Sequence, residues 1–301
     1  MAERPHTYTH GHDSTVLAAH AGRTAANSAA YLLAALRPGL NLLDVGCGAG
    51  TITRDLARLV APGRVVGVDS DPGVIEAAQA SVAGEPGAAG GEVGEPGVAG
   101  GEVGEPGAVV GSVGGAENLE FVLGDVYCLG FADGSFDVAH AHQVLQHLAD
   151  PPAALREMAR VVRPGGVIAA RDGDYGGAFW YPASEAWSEW QRVYLAVARA
   201  GGSELAAGRR LRTWALAAGF APGQVTVSGS VWTYPGFEPA AVIAASWAAR
   251  LTGQHFGALA ERHGVATKES LAATAAGLAA WAEHPDAFFA MPHGEVLIRV
   301  V

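Results

Sequence analysis

The stretch Leu42-Leu43-Asp44-Val45-Gly46-Cys47-Gly48-Ala49-Gly50-Thr51 constrains this chain more than any other. An apolar run ends in an acid, three glycines follow at alternate positions, and a helix-forming segment begins. That order reads as a strand, a tight turn and a helix start. Glycine has no Cβ, so such a turn reaches dihedrals closed to other residues and lets a ligand lie against the backbone. The spacing is G-x-G-x-G. Position 51 carries Thr where the G-x-G-x-x-G of a nicotinamide dinucleotide site has its third glycine. No Gly-Lys-Ser/Thr follows, so the P-loop pattern fails as well. An acid beside the loop disfavours a pyrophosphate and suits a ligand bearing an ammonium or sulfonium group.

The next apolar run, 64–69, also ends in an acid, Asp69, 21 residues beyond Gly48. A carboxylate at about this interval binds ribose hydroxyls, because its two oxygens can accept from two vicinal O–H groups. This feature alone does not separate a dinucleotide from another nucleoside. Further runs at 119–123, 136–141 and 167–171 read as strands. Between strands, helices start near Thr51, at Asp71-Pro72 and at Asp150-Pro151. Their stops are Ala61-Pro62-Gly63 and Arg163-Pro164-Gly165-Gly166. Strands joined through helices imply a parallel sheet with right-handed crossovers and a ligand at the strands' carboxyl ends. Ahead of them, 14–36 reads as one helix.

Taken together, Asp44 to Gly50, Val68-Asp69-Ser70-Asp71-Pro72, Gly124-Asp125-Val126, Phe136-Asp137 and Arg163 to Gly166 resemble the successive motifs of class I S-adenosylmethionine-dependent methyltransferases. The likeness is greatest to the ubiquinone/menaquinone-biosynthesis branch and covers about residues 8–172. It implies an α/β fold: a doubly wound, Rossmann-like, seven-stranded, mostly parallel sheet with an antiparallel terminal strand pair and a helical substrate cap. The runs 225–231 and 295–301 fit that pair. The expected organisation is an N-terminal lid and helix (1–40), a cofactor-binding core (41–172) and a cap with terminal strands (173–301).

The resemblance also implies S-adenosyl-L-methionine as cofactor and a small-molecule methyl acceptor. Asp44, Gly46, Cys47, Gly48 and Gly50 are expected at the methionyl end, Asp69 at the ribose, and Ser70, Asp125 and Val126 at the adenine. His142 and Gln143 follow the fourth strand, where the family's chain passes the transferable methyl. Candidate bases are His142, His10 and Asp174; candidate acceptor contacts are Tyr8, His147, Asp172, Tyr175 and Trp180. His140, within the strand, reads as a satisfied core histidine, and Trp232, Trp247 and Trp281 as cap core. The alternative is a cofactor-binding relative with a cyclase or accessory role.

Other features bound the reading. A formal net charge of −11 argues against broad nucleic-acid or anionic-membrane binding. Arg209, Arg210 and Arg212 form the one dense basic cluster and read as a solvated helix face. Two cysteines suit reduced thiols in a cytoplasmic protein. The N-terminal stretch lacks the apolar region of a signal peptide, and no apolar run reaches spanning length. His6, His10 and His12 have no framework that would make them a metal site. Segments 84–93, 94–103 and 104–113 repeat a Gly/Glu/Pro/Val-rich unit. Such a composition cannot offset its ordering entropy, so 83–116 is expected as a disordered surface insertion.

Overall fold

The computed structural model describes residues 23–83 and 118–301. The expected N-terminal lid, with Tyr8 and His10, and the repeat insertion lie outside the described residues.

Strand β1 (Leu42–Val45) is buried along its whole length. After the glycine turn, α1 and α2 being the short N-terminal turns Ala25–Ser28 and Ala30–Leu33, helix α3 runs from Thr51 to Val60. It buries Ile52, Leu56, Ala57 and Val60, spaced to form one apolar face. Strand β2 is Val65–Asp69 and helix α4 is Pro72–Ala83. Asp71 Oδ1 starts α4 by accepting from Val74 N at 3.0 Å. Strands β3 (Leu119–Leu123) and β4 (Phe136–His142) follow. Helix α5 (Pro151–Val161) opens on the side chain of Asp150, and its end runs directly into β5 (Val162–Gly173).

β3, β2, β1, β4 and β5 are parallel in that spatial order. Strand β8 (Phe288–Arg299) runs antiparallel beside β5, and β7 (Val225–Pro235) antiparallel along β8. This is the expected Rossmann-like sheet with its terminal pair. The sheet has eight strands, however, where seven were expected. The extra strand, β6 (Phe179–Tyr181), pairs with the first residues of β8, which are longer than needed to reach β5. The expected single helix over 14–36 is broken in its described part at Ala29, φ −132°. Thr24 and Asn27 cap each other reciprocally and Ser28 Oγ donates to Asn27 Oδ1, so polar side chains compete with the helical backbone bonds there.

The cap is built from α6 (Glu185–Ala200), α8 (Phe237–Thr252), α9 (Gln254–Arg262) and α10 (Lys268–Ala282); α7 (Leu211–Ala217) packs instead with the sheet core. Trp187, Trp190, Tyr194, Trp247, Trp281 and Phe289 make one aromatic core. Trp187 stacks on Phe289 at 4.3 Å and meets Trp190 and Trp281 edge-on at 5.1 and 5.4 Å, the offset and T-shaped arrangements that ring quadrupoles favour. Trp247 and Trp281 are core as expected. Trp232 touches the rim of this core but brings its ring to the sheet face beside His142.

Trp187 is fully buried at the centre of that cluster. Trp187→Ala is expected to lower stability by about 3–5 kcal/mol, read as a reduced midpoint in urea unfolding. A loss below about 1 kcal/mol would contradict its place in the core.

Candidate functional site

The carboxyl ends of β1, β2, β3 and β4 converge on a cavity of about 420 Å³. Its wall includes Asp44, Gly46, Cys47, Gly48, Asp69, Ser70, Asp125, Val126, His142, Gln143 and His147. This is the crevice where ligands of open parallel sheets lie.

The glycine loop is laced to β2, since Gly46 N and Cys47 N both donate to Val68 O, at 2.7 and 3.0 Å. Gly46, Gly48 and Gly50 all have positive φ, at 66°, 55° and 76°. Their reasons differ. A Cβ on Gly46 would collide with Val144, and one on Gly50 with the ring of Phe121. Around Gly48 nothing lies within 4 Å of where a Cβ would be, so its absence leaves open space on the cavity wall. Gly50 is not part of that wall. It precedes α3 in a left-handed conformation between the lining residues Ala49 and Thr51, and it packs against Phe121.

Asp69 Oδ2 accepts from Gly48 N at 3.1 Å and Oδ1 from Asp71 N at 3.2 Å, so two backbone groups aim the carboxylate. Asp44 is 3% exposed and uses both oxygens within the protein. Oδ1 lies 2.7 Å from His140 Nδ1, and Oδ2 accepts from Thr53 Oγ1 at 2.6 Å. His140 is thereby a core histidine as expected, satisfied at Nδ1 but with Nε2 buried and without a partner among the described residues. Asp125 Oδ1 accepts from Tyr127 N at 2.9 Å and braces the turn after β3. Among the described residues of the wall, Asp44, Asp69, Asp71 and Asp125 stand against one arginine, Arg23, so the cavity favours a cationic ligand. The thiol of Cys47 is pushed up by burial and then by Asp44 and Asp69, which keeps it protonated and unreactive.

His142 ends β4 at the wall. Burial, with Arg23 and Arg171 nearby, holds its imidazole well below the usual range, so the ring is neutral at physiological pH. His147 is likewise lowered by burial, to about 3, and its Nε2 lies 3.0 Å from Gln146 Nε2. Gln143 is the one described non-glycine residue with positive φ, 55°. Its Oε1 accepts from Arg23 Nη2 at 2.7 Å and its Nε2 lies 3.0 Å from His293 Nε2.

Four expected site residues lie elsewhere. Asp174 is held by Arg209, whose Nε and Nη2 donate to it at 2.6 and 2.7 Å. Asp172 is fully buried behind the wall and accepts from Gln146 N at 3.1 Å. Tyr175 belongs to the cap's aromatic core, and Trp180 stacks on Trp187 at 6.1 Å. None of these lines the cavity. Arg209 and Arg210 are engaged by Asp174 and Glu204, so the basic cluster is partly neutralised. Arg23, Thr53, Val144 and His293 were not foreseen. Each is a solitary residue of ordinary type, and only the complementary partner identifies it. Among the described residues no helix is long and apolar enough to cross a membrane, and no His/Cys/Asp/Glu group could hold a metal.

The family profile described as a methyltransferase domain matches residues 17–225. An uncharacterised methyltransferase of Schizosaccharomyces pombe is 32% identical over 231 residues, 75% of this chain and 73% of that one. The chain belongs to the methyltransferase-domain family. A demethylmenaquinone methyltransferase of a Parafrankia species is 37% identical, over 75% of this chain and 82% of its own. A 37.1 kDa protein of a Streptomyces fradiae transposon is 35% identical, and there the match spans only 48% of the relative. The YcgJ protein of Bacillus subtilis shares the fold at a TM-score of 0.52 and 17% identity, covering 90% of this chain and 97% of that one. The protein is a class I methyltransferase with S-adenosylmethionine as cofactor. The residues present fit that ligand: an open glycine wall at Gly48, an aimed carboxylate at Asp69 and a net acidic lining for a sulfonium.

Burial pushes the Asp172 carboxyl up to about 7, against lowering by the Gln146 N–H and Arg171. Between the ordinary carboxylate range and that value the folded methyltransferase holds a proton that the unfolded chain has released. Stability therefore falls as pH rises through that window. Asp172→Asn is expected to remove that slope and so to gain roughly 2–3 kcal/mol on the native protein between pH 5 and pH 8. Paired urea titrations read the difference; parallel profiles would refute it.

Proposed function

We propose that the protein transfers a methyl group from S-adenosylmethionine to an oxygen, nitrogen or carbon nucleophile of a hydrophobic small molecule of natural-product or quinone type. The observation that carries this is the acidic cavity that gathers the glycine wall, Asp69 and the neutral His142 at the carboxyl ends of four strands. In this reading Asp69 holds the ribose hydroxyls, and Ser70, Asp125 and Val126 hold the adenine end. Gly46 to Gly48 receive the methionyl end, with Asp44 beneath them. When bound, the cofactor supplies an electrophilic methyl on a cationic sulfur. His142 and Gln143 flank the acceptor, and His142, being neutral, does not repel a sulfonium. Alignment of two bound reactants can supply about 7–11 kcal/mol of the barrier, so no strong base is required of this site.

The name of the Parafrankia relative supports a quinone-type acceptor. The aromatic cap supports an apolar one. Work in secondary metabolism within the cytoplasm is the setting we propose, consistent with two unpaired thiols.

Two measurements test the reading. Calorimetry with S-adenosylhomocysteine should show binding that Asp69→Ala weakens by about 10- to 100-fold, the worth of a charged hydrogen-bonding group. Gly48→Val should abolish it by filling the open wall. Labelled S-adenosylmethionine with a cell extract should yield methylated small molecules, detected by mass spectrometry. Undiminished transfer by either variant would refute the site assignment, and tight binding without any product would refute the transfer.

A further inference from the structure

His142 is the shared wall between the cavity and a second buried polar group on the same sheet face. The following inference rests on the methyl-transfer reading above and names the chemistry its acceptor must bring.

Arg171 stands directly across from His142 in the β4–β5 register and is 1% exposed. Its Nε and Nη2 both donate to Ser230 Oγ at 3.1 Å, and its Nε lies 3.4 Å from Glu295 Oε1. Its Nη1, also buried, has no hydrogen-bond partner among the described residues. Trp232 closes the group, with its ring centre 4.7 Å from Arg171 Cζ and 5.8 Å from the His142 ring. His293 is beside it and is satisfied, with Nδ1 3.0 Å from Met291 O and Nε2 3.0 Å from Gln143 Nε2. His142 differs. Both of its ring nitrogens are buried and neither has a partner among the described residues. A native interior rarely leaves a buried imidazole wholly unsatisfied. On a cavity wall, such a ring is a contact kept for a ligand.

The field around it selects that ligand. Arg23 and Arg171 are the charges that bear most on His142, and both are positive. A neutral imidazole N–H in a positive field is a donor arranged for an oxyanion. Tyr31 Oη also lacks a partner among the described residues, but Glu295 acts on it more strongly than Arg171 does, and Asp44 adds to that. An anion therefore belongs at the His142–Arg171 end. The imidazole of His142 presents a flat ring to the cavity, which suits a planar acceptor.

We propose that the acceptor is a phenol or enol bound as its anion, its ionised oxygen accepting from His142 with the charge of Arg171 behind it. The hydroxyl proton passes to water on binding. The unpaired His142 then discriminates against acceptors that lack the oxygen, because they leave its buried nitrogens unsatisfied.

4-Nitrophenol tests this, since its anion absorbs in the visible. It is titrated against the whole protein with and without saturating S-adenosylhomocysteine. The bound probe is expected to ionise about one pH unit lower than the free probe, a roughly tenfold enrichment of the anion. 4-Nitroanisole, which lacks the O–H, should bind at least about tenfold more weakly. His142→Phe should remove both effects, and His142→Gln, which keeps a donor, should restore part of them. Binding of S-adenosylhomocysteine by each variant verifies an intact cavity. An unshifted or raised ionisation of the bound probe, equal binding of the two probes, or an undiminished shift in His142→Phe would overturn the proposal. Tighter binding of 4-nitrobenzoate than of 4-nitrophenol would overturn it in favour of a carboxylate. Failure of S-adenosylhomocysteine to bind the native protein would strike the cofactor reading instead, while the titration without it still reads the His142 contact.

Discussion

A buried carboxylate with two partners holds the site together. Asp44 at the end of β1 meets His140 of β4 through one oxygen and Thr53 of α3 through the other. One side chain thus ties two strands and the first helix beneath the glycine turn. An unpaired carboxylate at that depth would be strongly destabilising, so the three residues must assemble together. Once α3 is docked through Thr53, the chain between Val45 and Thr51 has little room. Val144 and Phe121 occupy the positions where side chains on Gly46 and Gly50 would go. Gly48 is then left facing open space, with its N–H turned to Asp69.

The second half of the chain is anchored to this core by a long ribbon. β7 pairs with β8 over eleven residues, and β8 also pairs with β5 and β6. The N-terminal part of β8 carries Phe289 into the aromatic core of the cap, and its later residues Val296 and Ile298 enter the sheet core. One strand therefore couples the cap to the cofactor-binding sheet. The same ribbon brings Trp232 and His293 to His142. The surroundings of His142, though not the cavity lining itself, are in this way composed partly by the second half of the chain, although no motif in that half announces it.

Much of the cofactor side was legible because its chemistry is local. An acid, alternate glycines and a helix start must lie within ten residues of each other, and Asp69 must end the neighbouring strand. The acceptor side was far less legible. Asp172 and Asp174 follow the same strand and look equivalent in the sequence, yet one is buried behind the wall and the other is clamped by Arg209, 35 residues later. His140 and His142 share a strand face. Only the partners separate them, since Asp44 engages one nitrogen of His140 and nothing among the described residues engages either nitrogen of His142. Tyr175 and Trp180 have the composition of a substrate cage, and packing against Trp187, Trp190 and Tyr194 absorbs them into the cap.

The amino-acid sequence by itself determined the strand–helix alternation, the glycine turn and the acids that close β1, β2 and β3, since periodicity, steric freedom and capping act over a few residues. The full length of the terminal ribbon, the extra strand β6, the break at Ala29 and the set of charges around His142 were decided only in the tertiary structure. Each depends on which distant side chain arrives as a neighbour. Burial and electrostatic field belong to such pairs and are not written in either residue alone.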